Sequence, residues 1–441
     1  MYILNDKPLE SNKKIKINFD GGDLTSDSGL FLISEFMSKM GFNKLIEESF
    51  HTESKGHSKI HTDSDNLKQV IYQVMAGYFE DDNADFLRND PAFTGILGKD
   101  SLASQPTMSR FWNRMDESTL IQLNELLKSM RKTVYGIKAP SSVIFDIDTT
   151  LFPTYGNQEG ADYNGHYSSY GYHPCLLFNG LNGELLKAVL RDGTQYCGKG
   201  SGDFMDDIID EFITDYPDTR LRLRGDSGFA IPELYNVCES KGVKYAIRLK
   251  QNNKLTALAE RLKHKLDEKT AKDKVSYAAV FGQFQYQAAS WDSPRRVCCK
   301  AEKKKDSFIY TYTFIVTNMT TAPEHVIGFY CGRGKMENFI KEGKSGFDFS
   351  AVSSATRIVN ANRLAVHALV YCIFNWFKQL ALPEKMRQST IDTIRIKLFK
   401  IASRVVRSGR YVTYKLCSSC VYKGSFFRTL YNISRLKPQL C

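Results

Sequence analysis

Four residues in FYCGRGKMENFIKEGK carry the strongest chemical signal in this chain. Tyr330, Arg333, Glu337 and Lys344 follow one another at steps of three, four and seven. Those steps fall on one face of a helix, so the four would form a stripe. An acid set among cations makes sense when the acid holds a metal ion and the cations hold a polyanion. The ordinary alternative is a solvated helix face laced with ion pairs.

Two other acids bear on that choice. SSVIFDIDTT at 141–150 reads as a buried strand that ends in Asp146, Ile147 and Asp148. Residues two apart on a strand share a face, so both aspartates point the same way. TRLRLRGDSGF at 219–229 alternates Arg and Leu, then breaks at Gly225-Asp226-Ser227-Gly228 as a strand end and turn. A carboxylate at each of two strand ends, with one more on a later helix, is a way to hold two metal ions about 4 Å apart. Carboxylate oxygens favour Mg²⁺, with Mn²⁺ able to substitute, over zinc.

On these motifs the chain resembles the DDE transposases of bacterial insertion sequences, in the hairpin-forming group with the Tyr-x2-Arg-x3-Glu-x6-Lys signature. Tyr330, Arg333, Glu337 and Lys344 meet that signature in full; Asp148-Thr149-Thr150 and Asp226-Ser227-Gly228-Phe229 match the contexts of the first two family acids. The stretches at 24–30, 77–93, 102–113 and 163–167 are also similar to the family, and the likeness is weakest after about residue 385. The resemblance implies an RNase-H-like catalytic core in which Asp148, Asp226 and Glu337 are both catalytic residues and ligands to two Mg²⁺ ions. Asp146 stands as the alternative to Asp148, or as a supporting group behind it. Arg333 and Lys344 would grip phosphates, and Tyr330 would donate to phosphate and stack. Trp291 would stack on an extruded base, or else be a core tryptophan.

The activity so implied is cut-and-paste transposition. Double-stranded DNA would be cleaved at terminal inverted repeats through a hairpin, then joined to target DNA by a homodimer assembled on the ends. A metal-dependent nuclease on the same fold is the first competing reading; a non-catalytic, transposase-derived DNA-binding protein is the second. No small-molecule substrate is expected.

Charge placement supports a nucleic-acid partner. The 441 residues carry a formal net charge of +11. From residue 393 onward there are eleven Lys or Arg and no acid; elsewhere Lys and Arg equal the 49 Asp and Glu. A block of that kind is an electrostatic footprint for a polyanion. Within it, Ile391, Ile394, Leu398, Ile401 and Val405 fall on one helical face and Lys397, Lys400, Arg404 and Arg407 on another, which predicts an amphipathic helix with a DNA-binding side. The ten cysteines are scattered, and Cys417-x-x-Cys420 has no second pair near it, so neither a disulfide framework nor a zinc site is expected. No signal-peptide pattern or membrane span is read, which predicts a cytoplasmic, nucleoid-associated bacterial protein.

Periodicity and breaks predict an α/β chain of five parts. Residues 1–138 read as a helical domain that binds the DNA end. There Arg110, Asn113 and Arg114 lie on a short helix that is either a helix-turn-helix reader or a packing helix with surface cations. Residues 139–250 read as the first part of a mixed-sheet core, 251–328 as a mostly β insertion, 329–382 as the second part of the core with the Glu337 helix, and 383–441 as a basic DNA-binding or dimerisation segment. The tyrosines at 155, 163, 167, 170 and 172 either line a DNA channel or pack a glycine-rich hairpin.

Overall fold

The structure is a computed structural model, and it describes residues 7–53, 60–272, 277–304 and 309–439. Two compact units divide the chain. One comprises Lys138–Lys341 with Ser350–Leu364; the other comprises Met1–Ile137, Glu342–Phe349 and Ala365–Cys441.

The first unit is built on an eight-stranded sheet. Its opening strand β1 (Ser142–Thr149) is followed by β2 (Cys175–Asn179) and β3 (Leu185–Val189). Helix α1 (Ser201–Asp215) leads to β4 (Arg220–Gly225), and α2 (Pro232–Ser240) leads to β5 (Lys244–Leu249). Strands β6 (Tyr277–Tyr286), β7 (Arg295–Lys304) and β8 (Tyr310–Thr317) follow. These three strands lie within 251–328, the stretch expected to be mostly β, which also carries the helices Asn253–Leu258 and Glu260–Lys272.

The spatial order is β6-β7-β8-β5-β4-β1-β2-β3. Strands β1 and β5 both run parallel to β4, while β2 is antiparallel to β1 and β3 to β2. Three antiparallel strands followed by two helix-linked parallel ones, in the order 3-2-1-4-5, is the RNase-H-like arrangement expected of the core. Strands β6 to β8 widen that sheet beyond β5. The central strands are buried because helices cover them, so β1 reads as an almost continuous apolar run (Val143, Ile144, Phe145, Ile147) interrupted only by acids.

Helix α3 (Pro323–Cys331) packs on this sheet, with Val326 and Ile327 against Ala246, Cys298 and Ile315. A 3₁₀ turn at Gly332–Gly334 follows, then α4 (Lys335–Phe347) and α5 (Arg357–Leu380).

The second unit is mainly helical. Phe36 meets Phe377 at 5.6 Å and Phe42 meets Trp376 at 5.8 Å between ring centroids, in its core. Its helix Asp63–Ala76 starts at a capping box between Thr62 and Asp65. The amphipathic helix expected across 391–405 is not formed. A single α-turn at Ile391–Ile394 passes into a π-turn at Arg395–Phe399, and Ser403–Arg407 is a strand. The cause is local. Buried Arg395 donates to the carbonyls of Val74, Met75 and Gly346, which pins the widened turn. Beyond it, Ser403 and Arg404 pair with Thr25 and Leu24, and the strand's other edge pairs with Val412–Leu416. No helix among the described residues is long and apolar enough to cross a membrane.

Candidate active site

The parallel register of β1 and β4 builds the site. Arg224 lies opposite Asp146 and Gly225 opposite Ile147. One more step brings Asp226 beside Asp148 at the carboxyl ends of adjacent strands, which stand about 4.8 Å apart. That edge is where open α/β sheets place their ligands. Asp226 then turns the chain: its Oδ1 accepts the Gly228 N–H at 2.8 Å and caps the 3₁₀ turn Ser227–Phe229. Asp148 accepts the Thr149 N–H at 2.9 Å, and the Thr149 hydroxyl donates to the Cys197 sulfur at 3.3 Å.

Arg333 closes the pair. Its Nη2 meets Asp148 Oδ2 at 2.7 Å and the Ile147 carbonyl at 3.4 Å, while its buried Nε has no hydrogen-bond partner among the described residues. Burial pushes the Asp148 carboxyl up to about 6; the Arg333 guanidinium opposes that shift and the charge of Asp226 adds to it. Two carboxylates so placed gain from a cation, and their donor atoms are all hard oxygens. Asp148 and Asp226 therefore fit a divalent ion such as Mg²⁺.

Asp146 is placed differently. It is fully buried, and its two oxygens accept from Arg224 Nε and Nη2 at 2.6 Å each. The third nitrogen, Nη1, donates to the Phe329 carbonyl at 2.9 Å and so ties β4 to α3. Two glycines make room for this pair. A Cβ at Gly180 would stand 2.2 Å from Asp146 Oδ2, and one at Gly332 would stand 2.4 Å from Arg224 Nη1. Arg224 and both glycines escaped the sequence reading. The Arg-x-Arg-x-Arg alternation of β4 was visible, but nothing in it marks which arginine is buried.

The remaining candidates separate into those near the pair and those away from it. Tyr330 is half-buried, and burial raises its hydroxyl. Glu337 is exposed on the first turn of α4, and among the described residues no group of three or more His, Cys, Asp or Glu is close enough to hold a metal ion. The 3₁₀ turn at Gly332–Gly334 winds more tightly than an α-helix and breaks the predicted stripe. It sets Arg333 against Asp148. Lys344 lies two turns further along α4, half-buried, with its ammonium pulled down by burial.

Trp291 is only 5% exposed. It packs edge-on to Tyr235 and Tyr286, under the guanidinium of Arg295, which pairs with Glu239. It is a core tryptophan, and the stacking role expected from the resemblance does not suit that burial. Arg110 and Asn113 are exposed, whereas Arg114 is occupied by Asp63, the Thr52 hydroxyl and the Arg110 carbonyl. Its place is in the fold. In the basic segment, Lys400 pairs with buried Asp27 at 2.6 Å and lies over the Tyr78 ring. Lys397 lies over Tyr422, and Arg404 and Arg407 are exposed on the strand that replaces the helix.

The chain matches the family described as transposase DDE domain, group 1, over residues 7–438, and it belongs to that family. It is a DNA transposase, from a family of DNA-cleaving enzymes that use divalent metal. No curated protein matches it. Among solved structures it is similar to piggyBac transposase in a synaptic complex with hairpin DNA, at 11% identity and a TM-score of 0.40, over 85% of this chain and 80% of that one.

Proposed function

We propose that the protein moves an insertion sequence by cut-and-paste transposition. It would cleave double-stranded DNA at terminal inverted repeats and join the freed ends to target DNA. The observation that carries this reading is the pairing of Asp148 and Asp226 at the ends of parallel neighbours, with Arg333 held against them. A bound Mg²⁺, or Mn²⁺ in its place, would supply activation of the attacking oxygen and stabilisation of the leaving one. Asp148 and Asp226 would hold it, and Glu337 would complete the ligand set from α4.

The chain's own residues do the rest. Arg333 pairs with Asp148; with that charge balanced by a bound divalent ion, its planar fork would be free for a phosphate. Tyr330 and Lys344 would contact phosphate on either side of it. Arg110 and Asn113 would read the DNA end, while Lys397, Arg404 and Arg407 would follow the backbone of any sequence. A homodimer would bring two ends together on the nucleoid. The test is a supercoiled plasmid carrying the element's two ends, incubated with Mg²⁺ and the full chain. Excised element joined to a second plasmid is expected. Cutting with no joining under any ratio of ends to target would leave only a nuclease.

A further inference from the structure

We propose that the hairpin spanning 162–172 is a stacking platform for unpaired DNA bases next to the acid pair. The proposal rests on the transposase reading above. Strands Asp162–Asn164 and Ser169–Tyr172 pair antiparallel with Tyr163 directly opposite Tyr170. Cross-strand partners share a face, and the two rings stand 5.4 Å apart at 63°. Both face solvent, Tyr163 at 47% and Tyr170 at 61% exposure. The four-residue turn between the strands carries Tyr167, and Ser168 completes it at a φ of 51°.

Position argues for DNA as the occupant. The Tyr167 ring stands 5.8 Å from that of His173, and the neighbouring Pro174 carbonyl accepts the N–H of Thr150, two residues beyond Asp148, which sets the turn beside the acid pair. Tyr163 and Tyr170 flank that turn on the two strands it joins, so a DNA strand held at the pair would lie near their rings. Chemistry argues the same way, since the exposed aromatics here are tyrosines with wet hydroxyl tips and not the aliphatic side chains of a protein interface. Rings already stacked in a duplex offer no free faces, so the bases that fit are unpaired ones.

The hairpin is also held still. Asn164 Nδ2 donates to the Gly193 carbonyl at 2.8 Å, and its Oδ1 accepts the His166 N–H at 3.1 Å. The Tyr172 hydroxyl donates to the Glu159 carbonyl at 2.7 Å and accepts from Asn360 at 3.2 Å. At Gly171 any Cβ would collide with the Phe152 carbonyl at 2.2 Å. A platform fixed this way loses little conformational freedom when a base settles on it.

The test uses the full chain and fluorescence anisotropy with a labelled oligothymidylate strand and a random duplex of the same length. Tyr163→Leu with Tyr170→Leu should weaken single-strand binding by at least about tenfold, while the matching Phe pair should change it less than about twofold. Duplex affinity should hold in both. Unchanged single-strand affinity in the Leu pair overturns the proposal, as does equal loss on strand and duplex, or equal loss in the Phe pair. A second reading avoids substitution altogether: 2-aminopurine in the strand should lose emission on binding the wild-type protein, and no change would also overturn it. If the wild type binds duplex but no single strand, only the platform falls. If it binds neither, the transposase reading falls with it.

Discussion

Removing Asp146 should harm the fold before it harms the chemistry. Its partner Arg224 has a side chain only 4% exposed, and the carboxylate is wholly buried. Asp146→Ala leaves a guanidinium in the interior without its carboxylate, held by the Phe329 carbonyl and lying over the Phe329 ring. Breaking a buried pair from one side costs about 3–5 kcal/mol. For a unit of this size each kcal/mol moves the melting midpoint by roughly 2–4 °C, so a fall on the order of 6–20 °C is expected. Replacing both partners, as Asp146→Leu with Arg224→Met, removes the orphan charge and should recover most of that loss. Differential scanning calorimetry in the absence of divalent metal reads all three proteins. Cleavage should fall in Asp146→Ala as well, because Arg224 also holds α3, which carries Tyr330 and leads into Arg333. A single variant that melts with the wild type refutes the reasoning. So does a double variant that melts as low as the single one.

Arg114→Ala should lower stability by about 1–3 kcal/mol through the bonds lost at Asp63 and Thr52, as read by chemical denaturation. Arg110→Ala should leave stability alone and reduce discrimination between element ends and random DNA in competition binding. In the basic segment, Arg404→Ala with Arg407→Ala should flatten the log–log dependence of DNA affinity on salt by about 2. Lys400→Ala should instead destabilise the protein with little change in that slope, since its ammonium is committed to Asp27. Trp291→Ala should cost about 3–5 kcal/mol in unfolding measurements while DNA affinity of the folded protein stays at the wild-type value.

Much of the core could be read from residue order. The apolar run of β1, the Arg–Leu alternation of β4 and the helix-forming stretches between them point to the mixed α/β sheet that forms, while its spatial strand order suits the RNase-H-like core that the family resemblance implies. Asp148 and Asp226 were legible because strand periodicity places them at two strand ends. What could not be read depends on contacts far apart in sequence. Helical spacing in 391–405 was real, but Arg395 is claimed by carbonyls more than three hundred residues earlier, and Ser403 and Arg404 pair with a strand near residue 25. The predicted stripe from Tyr330 to Lys344 assumed one uninterrupted helix, and the tighter turn at Gly332–Gly334 breaks it. Gly332 is needed there for a reason no local pattern reveals, the arginine that lies against it. Trp291 could be read either as a base-stacking residue or as a core tryptophan, and only contacts distant in sequence, with Tyr235 and Arg295, decide for the core.

The central claim is that Asp148 and Asp226 together form the reacting centre. The measurement that meets it most directly is Mg²⁺-dependent cleavage of end-bearing DNA by Asp148→Asn and Asp226→Asn, with end binding measured on the same preparations. Each variant should cut more than about a hundredfold more slowly than the wild type, with end affinity within about threefold of wild type, since the carboxylates make no favourable contact with phosphate on their own. Either variant cutting at the wild-type rate, while folded and bound to the ends, would contradict the account.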